Sequence, residues 1–77
     1  MQAELLTTTG CHLCEQALTL IQRAAPRLEL VLVDIGEQDA LIERYGTRIP
    51  VLRQGGRELD WPFSLLDVRA WLDANER

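Results

Sequence analysis

A chain of 77 residues with net charge −4 has room for one small hydrophobic core. Its 47% apolar and 26% charged residues exclude a wholly disordered chain. No apolar run approaches the ~18 residues of a membrane span, and eight Arg against twelve acidic residues disfavour a nucleic-acid face.

Ala3 to Thr8 reads as a short strand that Gly10 ends. From Cys11 to about Ala25 the pattern is helical, with Cys14, Ala17, Leu18, Ile21 and Ala25 on one stripe, and Pro26 stops it. Leu28 to Ile35 is the clearest strand. Its continuous Leu30-Val31-Leu32-Val33 run predicts cover on both faces. A second helix follows from Gln38 to Tyr45, with Gly46 placed for a left-handed C-terminal cap. Ile49 to Leu52 is a third strand with Pro50 at its head. Gly55-Gly56 supplies positive φ angles for a hairpin into a fourth, edge strand from Glu58 to Trp61. Ser64 and Asp67 form a capping box for a last helix, Phe63 staples onto Val68, and Leu65, Val68 and Leu72 make the apolar stripe. The order β-α-β-α-β-β-α predicts an α/β fold, with a four-stranded mixed sheet flanked by helices in one domain spanning 1–77.

The chemistry lies in Cys11-His12-Leu13-Cys14, just after a strand and at the first turn of a helix. Residues three apart on a turn share a face, so the two sulfurs can meet. The free N–H groups and positive dipole end of that turn favour a thiolate. Cys11, at the helix tip, is assigned as attacking nucleophile. Cys14, on the apolar stripe, is the buried resolving thiol. The start Met1-Gln2-Ala3-Glu4 carries no secretory pattern, so the expected compartment is the cytoplasm, where such thiols stay reduced. Other readings of the pair are half of a zinc or iron–sulfur site shared between two chains, and inert helix residues. A closed zinc site wants four ligands, and the chain offers two Cys and one His. No resident metal is expected. His12 reads as an exposed neighbour rather than an activating cation, and Glu15 as a solvated residue.

These motifs together resemble small glutaredoxin-like proteins of the thioredoxin fold. The resemblance is carried by the Cys11–Cys14 motif, Val33-Asp34-Ile35, Arg48-Ile49-Pro50-Val51-Leu52, Gly55-Gly56 and Trp61-Pro62-Phe63-Ser64, in order along nearly the whole chain. It implies a thiol–disulfide oxidoreductase with no bound cofactor, acting as a monomer on a disulfide-containing protein or small thiol. It also implies a cis Ile49–Pro50 peptide whose preceding backbone pairs with substrate. Arg48, Ile49, Pro50, Trp61 and Ser64 are the candidate substrate-binding residues. Glutathione is kept as a candidate co-substrate, held by Arg44 or Arg48 and by the amides of Leu65 and Leu66. Several departures point away from it. His-Leu replaces the family's usual Pro-Tyr, there is no Lys, and Trp61-Pro62-Phe63-Ser64 is bulky where the family has a Gly-Gly and a polar pair. Trp61 and Phe63 read either as core cover or as an apolar lip for a protein substrate. A non-catalytic, partner-binding module of the same fold is the remaining alternative.

Overall fold

The computed structural model describes residues 1–75; residues 76 and 77, included in the expected domain, lie outside it. The elements are β1 (Gln2–Thr7), α1 (His12–Ala24), β2 (Glu29–Asp34), α2 (Asp39–Tyr45), β3 (Val51–Gln54), β4 (Arg57–Asp60) and α3 (Leu65–Asn75), with a 3-10 turn at Ile35–Glu37 before α2. One mixed sheet runs in the order β2-β1-β3-β4. β1 and β2 are parallel, as the intervening helix requires, and β3 is antiparallel to both β1 and β4.

Successive strand residues face opposite sides of a sheet, and this alternation splits the core in two. Leu5 of β1 and Leu52 of β3 join Ala17, Ile21, Val68, Trp71 and Leu72 beneath α1 and α3. Leu6 and Val51, one residue along on the same strands, join Ile35 and Tyr45 beneath α2. Every buried strand position thus lies on the two central strands, β1 and β3.

That arrangement corrects the reading of β2. It is an edge strand, and Val31 and Leu32 are 43% and 53% exposed. Leu30 packs on the first cluster and Val33 on the second, but only partly. Three helices shared over four strands cover the middle of the sheet and leave its margin open.

Smaller corrections follow local sterics. Gly46 is right-handed, at φ −53° and ψ −35°, and not a left-handed cap. What reserves the position for glycine is space, since a Cβ there would come within 2.6 Å of the Ile42 carbonyl oxygen. In the hairpin only Gly55 takes a positive φ, of 62°. β3 begins at Val51, because Pro50 has no N–H to give the ladder. Trp71, absent from the expected stripe, is buried at 7% exposure, while Leu65 is half-buried. The capping box of α3 forms as expected. Asp67 N–H donates to Ser64 Oγ at 3.0 Å and Ser64 N–H donates to Asp67 Oδ2 at 2.9 Å.

Candidate functional site

Strand register decides which residues meet at the cysteine end of the sheet. β1 ends at Thr7, which pairs with Asp34, the last residue of β2. Leu6 pairs with Val51, so Pro50 stands at the same level, and Val51 pairs with Asp60, which brings Trp61 beside Pro50. Trp61 N–H donates to the Pro50 carbonyl at 3.2 Å. The loop from Thr8 to Gly10 leaves the same end of β1. Gly10 turns it at φ 78°, a conformation that suits glycine, and delivers Cys11 to the start of α1.

Cys11 is the N-cap of α1. Its Sγ accepts from Cys14 N–H at 3.1 Å, and its carbonyl accepts from Glu15 N–H at 3.2 Å. The sulfur therefore takes one of the helix donors that would otherwise lack a partner. Cys11 and Cys14 form a disulfide, with Cα atoms 5.2 Å apart. Burial separates the two sulfurs: Cys14 is 4% exposed among core residues, while Cys11 is half-buried at the rim. His12 is fully turned to solvent, and its Nδ1 lies 3.7 Å from a Glu15 carboxylate oxygen, itself exposed. Among the described residues, no group of three or more His, Cys, Asp or Glu side chains is arranged to hold a metal ion.

The other expected site residues divide into two sets. Ile49–Pro50 is a cis peptide, as is Trp61–Pro62. Pro50 is fully buried, and Ile49 is half-buried against the α2 cluster. Trp61 is half-buried and meets Phe63 edge to face, with ring centroids 5.0 Å apart. Strand register sets these residues at the cysteine end of the sheet. Arg48 and Ser64 are instead engaged in hydrogen bonds within the chain. Arg48 donates to Asp60 at 2.7 and 2.9 Å and to Glu58 at 2.8 Å. Ser64 uses both its hydroxyl and its amide in the α3 capping box.

The family model described as Glutaredoxin-like domain (DUF836) matches residues 2–73. The chain belongs to this glutaredoxin-like family. Among solved structures it is similar to target protein XcR50 from X. campestris, seen both by X-ray and in solution. The X-ray structure is 45% identical, covers 94% of this chain and 96% of that one, and superposes with a TM-score of 0.85. The solution structure is also 45% identical, covers 96% and 95%, and gives 0.87. Thioredoxin 1 from Thermosipho africanus covers 100% of both chains at 16% identity with a TM-score of 0.63, a likeness of fold. No match was found among curated proteins. The architecture is a thioredoxin-like α/β fold.

Two features of this glutaredoxin-like domain escape a reading of its motifs. One is a groove of about 370 Å³ between α1 and β2, which both cysteines line together with Leu18, Leu32, Glu15 and Asp34. Its signal was available, because a parallel β-α-β unit places the end of β2 beside the start of α1. The other is a charged cluster around Tyr45, which is 1% exposed. The Tyr45 hydroxyl bonds to Glu58 and accepts from Arg53 at 3.3 Å. Guanidinium carbons of Arg44, Arg48 and Arg53 stand 5.4, 5.0 and 5.8 Å from its ring centroid. Arg53 also pairs with Glu4 at 3.0 Å. This cluster ties the turn before Pro50 to β4, since the Tyr45 carbonyl accepts from both Arg48 N–H and Ile49 N–H.

The cluster has a pH signature. The Arg48 hydrogen bond, and after it the Tyr45 hydroxyl, hold the Glu58 carboxyl below its ordinary value of 4.5. A carboxyl whose pKa is lower folded than unfolded adds stability that is complete above the unfolded value and lost as pH falls through the folded one. The urea midpoint should therefore hold steady from neutral pH to about 5 and fall steeply below 4.5. Glu58→Gln should lower the neutral midpoint and flatten that acid fall. An equally steep fall in the variant would assign the acid sensitivity to other groups.

Among the described residues no helix is long and apolar enough to cross a membrane.

Proposed function

We propose that this domain is a thiol–disulfide oxidoreductase, with Cys11 as nucleophile and Cys14 as resolving thiol. The carrying observation is the Cys11–Cys14 disulfide across the first turn of α1, with one sulfur at the rim and the other in the core. In the reduced protein the helix tip stabilises the Cys11 thiolate. That thiolate bonds to one sulfur of a substrate disulfide, and the other sulfur leaves as a thiolate that takes a proton from water. Cys14, losing its proton, then bonds to Cys11 Sγ and displaces the second substrate thiolate. The substrate gains two electrons and two protons, and the protein ends as the disulfide described above. A dithiol reductant returns it to the starting state.

Ile49, Pro50 and Trp61 stand at the same end of the sheet as the cysteines, where an extended chain would approach. A disulfide in another protein fits this surface better than glutathione does. Arg48 is neutralised by Asp60 and Glu58, and Asp67 already sets a carboxylate at the start of α3, where a glutathione carboxylate would have to sit. The reading places a monomer in the cytoplasm, where a reduced dithiol has reducing work to do.

The test is equilibration with glutathione redox buffers, followed by turnover of a small disulfide with dithiothreitol as reductant. A potential near thioredoxin's, about −270 mV, marks a reductase, and one near about −120 mV marks an oxidant. Iodoacetamide labelling of the reduced protein across a pH series should show Cys11 reacting at pH values where an ordinary thiol, of pKa about 8.5, is protonated. A Cys11 that labels no earlier than a free thiol, together with no turnover, would leave only a binding module of this fold.

A further inference from the structure

The groove between α1 and β2 has a chemistry of its own. Leu18 lies one turn along α1 from Cys14, and Leu32 sits on the open edge strand, 53% exposed. Together they form an apolar wall leading away from the disulfide. Glu15 and Asp34 supply the charged groups of the lining, and no described lining residue is basic. Besides the cysteines, the rest of the lining is Thr7 at the end of β1 and the Thr8–Gly10 loop, polar and uncharged. The groove lies on the β2 side of β1, whereas Pro50 precedes β3 on the other side. A substrate gripped near Pro50 therefore leaves this groove free for the residues flanking its disulfide.

We propose that the α1–β2 groove is a selectivity site for polypeptide disulfides that carry a basic residue beside the reactive cysteine and an apolar residue beyond it. The proposal rests on the oxidoreductase reading above and names its substrate class. The carboxylates of Glu15 and Asp34 attract a cation next to the sulfur under attack and repel an anion there. Leu18 and Leu32 then cover an apolar side chain, which loses contact with water. Glutathione disulfide, with net negative charge and no apolar side chain, meets neither requirement.

The experiment compares two peptides of equal length, each a symmetrical disulfide, with Lys-Leu or Glu-Leu beside the cysteine. Hydroxyethyl disulfide serves as an uncharged reference, and dithiothreitol recycles the protein. At low salt, two carboxylates, Glu15 exposed and Asp34 half-buried, turned from attraction to repulsion should make kcat/KM for the Lys peptide about tenfold that for the Glu peptide. The ratio should shrink towards one in 0.5 M salt, because exposed charges are screened over about a Debye length. It should also shrink in the double variant Glu15→Gln and Asp34→Asn. Asn keeps an oxygen to accept the Gly36 N–H that Asp34 Oδ1 now accepts at 2.8 Å, so the turn after β2 is retained. Glu43→Gln, on α2 and outside the groove lining, should preserve the ratio. Equal rates for the two peptides, or a preference that survives the double variant, overturn the proposal while hydroxyethyl disulfide still turns over. No turnover of any of the three disulfides overturns the redox reading and this proposal together.

Discussion

On the proposed mechanism, replacing Cys11 by Ser should reduce disulfide turnover to background, a loss of about three orders of magnitude or more, because the group that would form the covalent intermediate is gone. Replacing Cys14 by Ser should do something different in kind. The first attack survives, and the protein accumulates as a mixed disulfide on Cys11, with one substrate thiol released per chain. Intact mass would show the adduct as the added weight of one substrate thiol. The asymmetry follows from burial, since Cys14 is 4% exposed and an incoming disulfide cannot reach it. Cys11 sits at the rim as the cap of α1. Equal loss in both variants with no adduct on Cys14→Ser would contradict the assignment of roles. An adduct on the Cys11→Ser protein would reverse it.

Tyr45→Ala should be among the most destabilising single substitutions in the chain. The side chain is almost fully buried between Leu6, Ile35 and Val51, and it also anchors the charged cluster. Truncating a buried aromatic costs about 3–5 kcal/mol from lost contacts and the cavity left behind. A chain of this size has a total stability of only about 4–12 kcal/mol, so a large part of the folded margin would go. At about 4–8 °C per kcal/mol, Tm should fall by about 12 °C or more. Tyr45→Phe separates the ring from the hydroxyl. Its cost should be nearer 1 kcal/mol, because Glu58 keeps Arg48 and Arg53 keeps Glu4 when the hydroxyl is lost. Thermal and urea unfolding of the two variants side by side check this. A Phe variant as damaged as the Ala variant would show that the polar cluster, and not the packing, holds the turn before Pro50.

Much of this was legible in the residues. The helix start at the cysteines, the capping box of Ser64 and Asp67 and the hairpin at Gly55-Gly56 are local chemistry, and each forms near its expected place. The parallel pairing of the first two strands follows from the helix between them. Other features were not legible because they depend on neighbours distant in sequence. The run Leu30 to Val33 reads as a buried strand, yet its cover depends on where the other strands insert, and β3 inserts on the far side of β1. Arg48 reads as a free cation beside Pro50, and only the return of β4 brings Asp60 and Glu58 to neutralise it. Nothing in the pattern around Tyr45 marks it as the centre of three Arg residues, since Arg53 and Glu58 reach it from β3 and β4.

By itself, the order of residues determined the local pieces and the place of the dithiol. Spacing along a helix and the orphaned amides of its first turn act within a few residues, and no partner from elsewhere is needed. Tertiary structure decided the surroundings of that dithiol. Strand order made β2 an edge, opened the groove beside Leu32 and Asp34, and paired Arg48 with the carboxylates of β4. These outcomes rest on which strands share a sheet and in what register, and chain-local propensity carries no term for either.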